Sequence, residues 1–254
     1  GVQQVHSLLA IPSKKTDEKK DIPTPTRWRL CFEELGPTFV KLGQLLAGRP
    51  DFVPEAYVEE FQKLQDRVTT IPFEDVRDLL QSELKANLDE VFSEFDRVPM
   101  AAASIAQVHS ARLKTGEYVA VKVQRPGIEP TILNDISILR GISQLLEKYI
   151  EEVRPFNPVG IVEEFFRSII YELDFRVESN NIRKIKGNLS SLPRICVPEV
   201  FMKYSTGKVL VLERFEGVRF SEREEMIRQG INPVEVIEAG ADALKVGIGP
   251  GSIC

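Results

Sequence analysis

The spacing of apolar residues changes along this chain, and that change restricts the fold more than any other feature. From Arg27 the spacing is helical: Trp28, Cys31, Phe32 and Leu35 recur at i, i+3, i+4 and i+7, one face of a helix. Gly36-Pro37 stops that helix, and Thr38 is placed to cap a second one carrying Phe39, Leu42, Leu45 and Leu46. Tyr57 to Leu64 and Phe73 to Leu84 read as two more helices, so residues 27–90 form a helical block. The spacing then becomes extended. Phe92 to Phe95 and Ile105 to Leu113 read as strands, Lys114-Thr115-Gly116 as a turn, and Glu117 to Gln124 alternates with β-branched residues, which together predict a hairpin. Helices return at Thr131 to Tyr149 and, as one long helix, from Val159 to about Ile185. Two strands are expected near Cys196–Phe201 and Lys208–Glu213, followed by helix to about Leu244 and then a Gly-rich end. Strands gathered into an antiparallel sheet with helices set apart from it make an α+β plan.

Composition removes several function classes. The 254 residues carry a net charge of −5, so the basic footprint of a general nucleic-acid binder is missing. Cys31, Cys196 and Cys254 are far apart and odd in number. They form neither a disulfide framework nor a paired-cysteine metal site, and they suit a reducing compartment. His6 and His109 are the only histidines, too few for a His-rich zinc centre. The longest apolar runs fall short of a membrane-spanning helix, and no signal peptide precedes the first helix. Residues 13–26, charged and then proline-spaced, read as an exposed linker within a 1–26 lead segment.

Three groups of residues could carry chemistry. Ala101-Ala102-Ala103-Ser104 precedes the hairpin, and such small side chains let backbone N–H groups approach phosphates. Lys122, on the second hairpin strand, alternates away from Val121 and Val123 and shares a face with Ala120 and Gln124. Beneath a phosphate-covering loop it would supply a point charge; otherwise it is a solvated lysine on a strand. Glu172, Asp174 and Glu178 lie along the long predicted helix beside its apolar stripe, where acids need partners, and Lys41 and Lys122 are available cations. Gly43, in Lys41-Leu42-Gly43-Gln44, costs about 1 kcal/mol against alanine inside a helix, which suggests a close approach to that helix face.

Taken in order, these residues resemble the AarF/UbiB atypical protein-kinase-like family from about residue 36 to residue 244. Lys41-Leu42-Gly43-Gln44 is similar to its KxGQ marker, and Ala101 to His109 to its alanine-rich nucleotide loop. Val119-Ala120-Val121-Lys122 resembles the kinase VAIK strand, and Glu172-Leu173-Asp174 the family's ExD motif, with Glu178 in the position of the helix-C glutamate. The resemblance implies a kinase-like N-lobe, an antiparallel sheet plus a long helix C, over residues 91–217 with an inserted helix at 131–149. It implies an N-terminal helical extension over 27–90, and the start of a C-lobe from 218, with most of that lobe absent. It implies that Lys122 holds nucleotide phosphates and pairs with Glu178, as in the kinase ion pair. Ala101, Ala102, Ala103 and Ser104 would then cover the phosphates and Ala120 would line the nucleotide site. Backbone groups near Glu213 and Phe215 would meet adenine; the strand they end reads equally as a plain buried strand. Lys41, Gly43 and Gln44, with Lys41 tied to Glu172 or Asp174, would be regulatory and favour small-molecule phosphorylation or ATP hydrolysis over protein phosphorylation.

The cofactor so implied is ATP or ADP, with Mg²⁺ only in a complete family member. No residue of this chain is expected to bind a metal, and none to act as catalytic base. The family's HxDxHxxN-type catalytic loop and its metal-binding Asp have no counterpart here, so the chain is expected to be inactive as given. The implied setting is ubiquinone or other prenyl-lipid metabolism, in the cytoplasm or an organelle interior, with a membrane or prenyl-lipid surface as a candidate partner. The alternatives are a pseudokinase-like scaffold or a lipid- or partner-binding module. The last 18 residues, Ile237 to Cys254, separately resemble the strand and cysteine loop of IMP dehydrogenase, without the barrel such a site needs. Both chain ends read as cuts, and the tail as a junction.

Overall fold

The computed structural model describes residues 22–64, 69–192, 195–218 and 222–238. The tail from Ala239 to Cys254, with its cysteine-loop resemblance, lies outside the described residues, as do residues 1–21. The chain divides into two compact units that interleave in sequence. Of the described residues, one comprises those up to Thr70, Ala102–Ala106 and Arg125–Leu173; the other comprises Ile71–Ala101, Gln107–Gln124 and those from Asp174 onward. Helices α4 (Phe73–Leu84) and α5 (Leu88–Val91) therefore share a unit with the strands, and the helix over 131–149 shares one with the helical block.

The first unit is helical. Its α1 (Thr24–Leu35) begins three residues before the expected start, because Pro25 sits in the first turn, where its missing N–H costs nothing. Gly36, at φ 102°, reverses the chain into α2 (Pro37–Ala47), a conformation that favours glycine. Thr38 does not cap α2 as expected. The cap position falls to Gly36, Pro37 follows it, and Thr38 is buried within the first turn, its hydroxyl donating to Asp135 at 2.5 Å. Phe32 gathers the core of this region, with Phe61 of α3 (Glu55–Phe61) 5.2 Å away and Trp28 edge-on at 5.9 Å. Helices α6 (Ile128–Tyr149) and α7 (Pro158–Leu173) run antiparallel. The Glu147 carboxylate accepts from Val159 N at one end, and Arg140 meets Glu163 at 2.7 Å further along. They bury Ile132 and Ile136 on one helix and Val162, Phe165 and Ile169 on the other.

The second unit is built on a sheet in the order β1 (Phe92–Phe95), β3 (Ala106–Leu113), β4 (Tyr118–Gln124), β5 (Val209–Glu213), with the short β2 (Ala101–Ala102) beside β3. The hairpin turns at Gly116, φ 110°, where the expected Lys-Thr-Gly turn stands. Alternation decides the core face: Val119, Val121 and Val123 are fully buried with Val209 and Val211, and Val76 and Leu80 of α4 belong to the same cluster. The opposite β4 face carries Ala120 and Lys122, both half-buried.

Two expected elements differ. The stretch Cys196–Phe201 touches the sheet only as a bridge between Val200 and Leu212. Phe201 N donates to Val211 and Glu213 N to Glu199 around that bridge, and the chain then turns away into a 3₁₀ helix at Met202–Tyr204. The single long helix is two. Asp174, at φ −103° and ψ 99°, ends α7 and caps α8 (Phe175–Asn188), its side chain accepting from Arg176 N at 3.0 Å. Aspartate is among the best N-cap residues and a poor helix-interior one, so the break follows its preference. Glu172 and Glu178 accordingly stand on different helices.

Candidate functional site

In the sheet unit the site grows from β4. Lys122 stands opposite Leu210 of β5 and reaches across its half-buried face to Glu178 of α8, Nζ to Oε2 at 2.7 Å. The two residues are 56 positions apart in sequence. The ammonium also lies 4.9 Å from the ring centroid of Phe175, which is wholly buried. A carboxylate and an aromatic face thus hold one cation from two sides. Both charged side chains keep contact with solvent, 27% exposed for Lys122 and 39% for Glu178. The pair is therefore worth less as stabilisation than as a placed positive charge.

Glu178 is aimed by the start of α8. The N–H of Phe175 donates to the carbonyl of Gly207 at 3.0 Å, joining the helix to the turn that feeds β5. The Asp174 carboxylate accepts from the Arg176 backbone and, at 2.8–3.1 Å, from its guanidinium. Those hydrogen bonds from Arg176 hold the Asp174 carboxyl below the usual carboxylate range. Glu213, at the end of β5, gives its N–H to the carbonyl of Glu199 and accepts on its carboxylate from Glu199 N at 3.0 Å, while Phe215 is half exposed.

In the helical unit the expected group around Lys41 comes together on α2 and α7. Lys41 Nζ lies 3.1 Å from Glu172 Oε2, so of the two acids considered for it the structure supplies Glu172. Gln44 Nε2 donates to the carbonyl of Leu64 at 3.3 Å. Gly43 has the close approach its presence suggested. A Cβ there would stand 2.3 Å from a Leu64 methyl and 2.8 Å from the Phe32 ring, so the glycine serves packing inside the helical core. Lys41, Gln44, Ser168 and Glu172 form the polar wall of a cavity of about 300 Å³ whose apolar wall is Leu45, Phe165 and Ile169.

The alanine loop is less open than small side chains alone would make it. The N–H of Ala103 donates to the carbonyl of Ala106 at 2.8 Å, so that donor is spent inside the loop. Ser104 is 1% exposed and its hydroxyl has no hydrogen-bond partner among the described residues.

The resemblance counted Gln107 and His109 with the alanine-rich loop; the structure makes them a buried polar frame of the sheet. Gln107 and His109 are fully buried two positions apart on β3. His109 Nδ1–H donates to the carbonyl of Asp96 at 2.8 Å, leaving Nε2 to accept from the Gln107 amide at 2.9 Å. The Gln107 amide oxygen accepts from Ile71 N at 2.7 Å. Burial pushes the His109 imidazole below its ordinary pKa, in keeping with this neutral tautomer. The signal was available: two polar residues at i and i+2 share one strand face.

Among the described residues, no group of three His, Cys, Asp or Glu could hold a metal, and no helix is long and apolar enough to cross a membrane.

Known proteins carry the same framework. The ABC1 atypical kinase-like domain matches residues 63–248. A probable protein kinase UbiB from Marinobacter nauticus is 39% identical over 216 residues, covering 85% of this chain and 40% of its own length. The corresponding Pseudomonas paraeruginosa protein is 37% identical over 224 residues, covering 88% of this chain and 42% of its own. Among solved structures, Mycobacterium tuberculosis Rv3197 in complex with erythromycin aligns with a TM-score of 0.54 at 31% identity, over 77% of this chain and 49% of that one. The chain spans about two fifths of the length of these curated relatives. With helices beside an antiparallel sheet and the motifs of the resemblance in order, the chain belongs to the ABC1 atypical kinase-like family.

Proposed function

We propose that this chain supplies the nucleotide-binding part of a UbiB-type atypical kinase or ATPase that acts in ubiquinone or other prenyl-lipid metabolism. The observation that carries the reading is the 2.7 Å contact between Lys122 and Glu178. A half-exposed ammonium, held on a rigid strand by a carboxylate, suits phosphate oxygens, since a ligand can reach it without breaking the core. The ligand class is a nucleoside di- or triphosphate, ATP or ADP. Mg²⁺ enters as the counter-ion of that ligand, with no described residue assigned to it. When bound, ATP supplies the phosphoryl group; the chain's own residues bind and orient it.

In this reading Lys122 holds the phosphates and Glu178 orients Lys122. Ala101, Ala102, Ala103 and Ser104 belong to the phosphate loop. Ala120 and the backbone near Glu213 and Phe215 meet the adenine, through groups other than the Glu213 N–H, which Glu199 already engages. Residues 27–90 form the KxGQ extension, 91–217 a kinase-like N-lobe, and those from 218 open a C-lobe. Lys41, Gly43, Gln44 and Glu172 make a regulatory motif beside the 300 Å³ cavity, which favours a small-molecule acceptor or plain ATP hydrolysis. A membrane or prenyl-lipid surface is the partner this chemistry calls for.

The test is titration of the 254-residue chain with a fluorescent ADP analogue, with and without Mg²⁺. Lys122→Ala should weaken binding by about tenfold or more, the loss expected for a hydrogen bond to a charged group. Equal affinity for wild type and variant would overturn the assignment. Absence of binding in the wild type would favour the scaffold reading.

A further inference from the structure

Three stretches of the helical unit, far apart in sequence, meet at one side chain. Arg125, the first residue after β4, donates from Nε to the carbonyl of Ala103 at 2.9 Å and from Nη2 to the carbonyl of Thr69 at 2.8 Å. Its backbone N–H donates to the carbonyl of Ile105 at 2.9 Å. Burial pushes the guanidinium below its ordinary pKa, yet an arginine remains charged across the physiological range. Beyond the pairing of β2 with β3 at its ends, the loop it grips has little else of its own. The side chains of Ala102 and Ala103 carry no polar group, the Ser104 hydroxyl finds no partner among the described residues, and one internal hydrogen bond closes Ala103 on Ala106. The guanidinium presents Nε and Nη2 in fixed, diverging directions to the carbonyls of Ala103 and Thr69, a geometry that the compact ammonium of a lysine does not reproduce.

We propose that Arg125 is a positioning residue whose guanidinium fork sets the conformation of the alanine loop, residues 102–106, and through it the affinity for nucleotide. The second half rests on the nucleotide reading above; the first does not. Sequence inspection placed Arg125-Pro126-Gly127 merely as the end of the hairpin, so the role emerges from the geometry alone.

Hydrogen exchange read by mass spectrometry on the 254-residue chain, beside titration with the fluorescent ADP analogue, separates the two halves. In Arg125→Gln, amides of residues 102–106 should exchange about tenfold faster, with intermediate exchange in Arg125→Lys, since charged hydrogen bonds are lost in stages. Peptides from β4 and α8 should keep wild-type exchange. Nucleotide affinity should fall about tenfold in the Gln variant and by less in the Lys variant. Unchanged exchange at 102–106, a Lys variant equal to wild type, or acceleration spread evenly over the chain would each overturn the positioning role. Faster loop exchange with unchanged affinity would overturn the link to nucleotide. A wild type that binds no nucleotide would sink the nucleotide reading and that link together, while the exchange data still decide whether Arg125 positions the loop.

Discussion

Lys122 and Lys41 both end on a glutamate, at 2.7 and 3.1 Å, yet the two pairs are held by different means. Lys122 projects from a strand, and its partner sits on a helix whose first turn is capped by Asp174 and tied by backbone to Gly207. Lys41 projects from a helix whose placement depends on apolar packing, with Gly43 letting Leu64 and Phe32 come within the volume of a missing methyl. Directional hydrogen bonds aim the first pair; close packing locates the second. Hydrogen bonds constrain angles and tolerate small shifts in volume, whereas a packed core tolerates almost none.

The largest expected effect tests the packed side. Gly43→Ala should destabilise the protein by about 1–3 kcal/mol, the usual cost of forcing extra volume into a filled core, even though alanine is the better helix former. Urea unfolding followed by circular dichroism measures it, and a stabilised variant would show that Leu64 and Phe32 yield freely. The capped side comes next. Asp174→Ala should cost about 1 kcal/mol, whereas Asp174→Asn should recover most of the loss, because asparagine caps almost as well. Equal melting temperatures for the Ala variant and wild type would mean that the cap does not secure α8.

The smallest effect concerns the buried frame behind the sheet. His109 is held below its ordinary value of 6.5 by burial, so the unfolded chain takes up a proton before the folded one does. Its contribution to stability is full above about pH 6.5 and is lost as pH falls from there toward the lowered folded value. His109→Gln should flatten that part of the stability–pH curve; an unaltered slope would show that other groups produce it.

Much of this was legible from residues alone. The α4 boundaries at Phe73 and Leu84, the hairpin turn at Gly116 and the face carrying Lys122 follow from spacing and turn chemistry, which act over a few residues. The departures have separate causes. Asp174 falls between the apolar stripe that ends at Leu173 and the buried Phe175, so spacing alone hides the break that capping creates. Cys196 to Phe201 has strand-like composition, but the chain leaves β5 for a 3₁₀ helix at Met202–Tyr204 straight after the bridge at Val200. Thr38 looks like a cap until Asp135, 97 residues away, claims its hydroxyl.

By itself, the sequence determined the kinds of element, their order and the family, because periodicity and motif spacing are local properties written along the chain. Tertiary structure alone decided which of two acids Lys41 meets, what crowds Gly43, and that Arg125 joins residues 69, 103 and 105. Those outcomes depend on distances between segments tens of residues apart, and no local pattern encodes a distance of that kind.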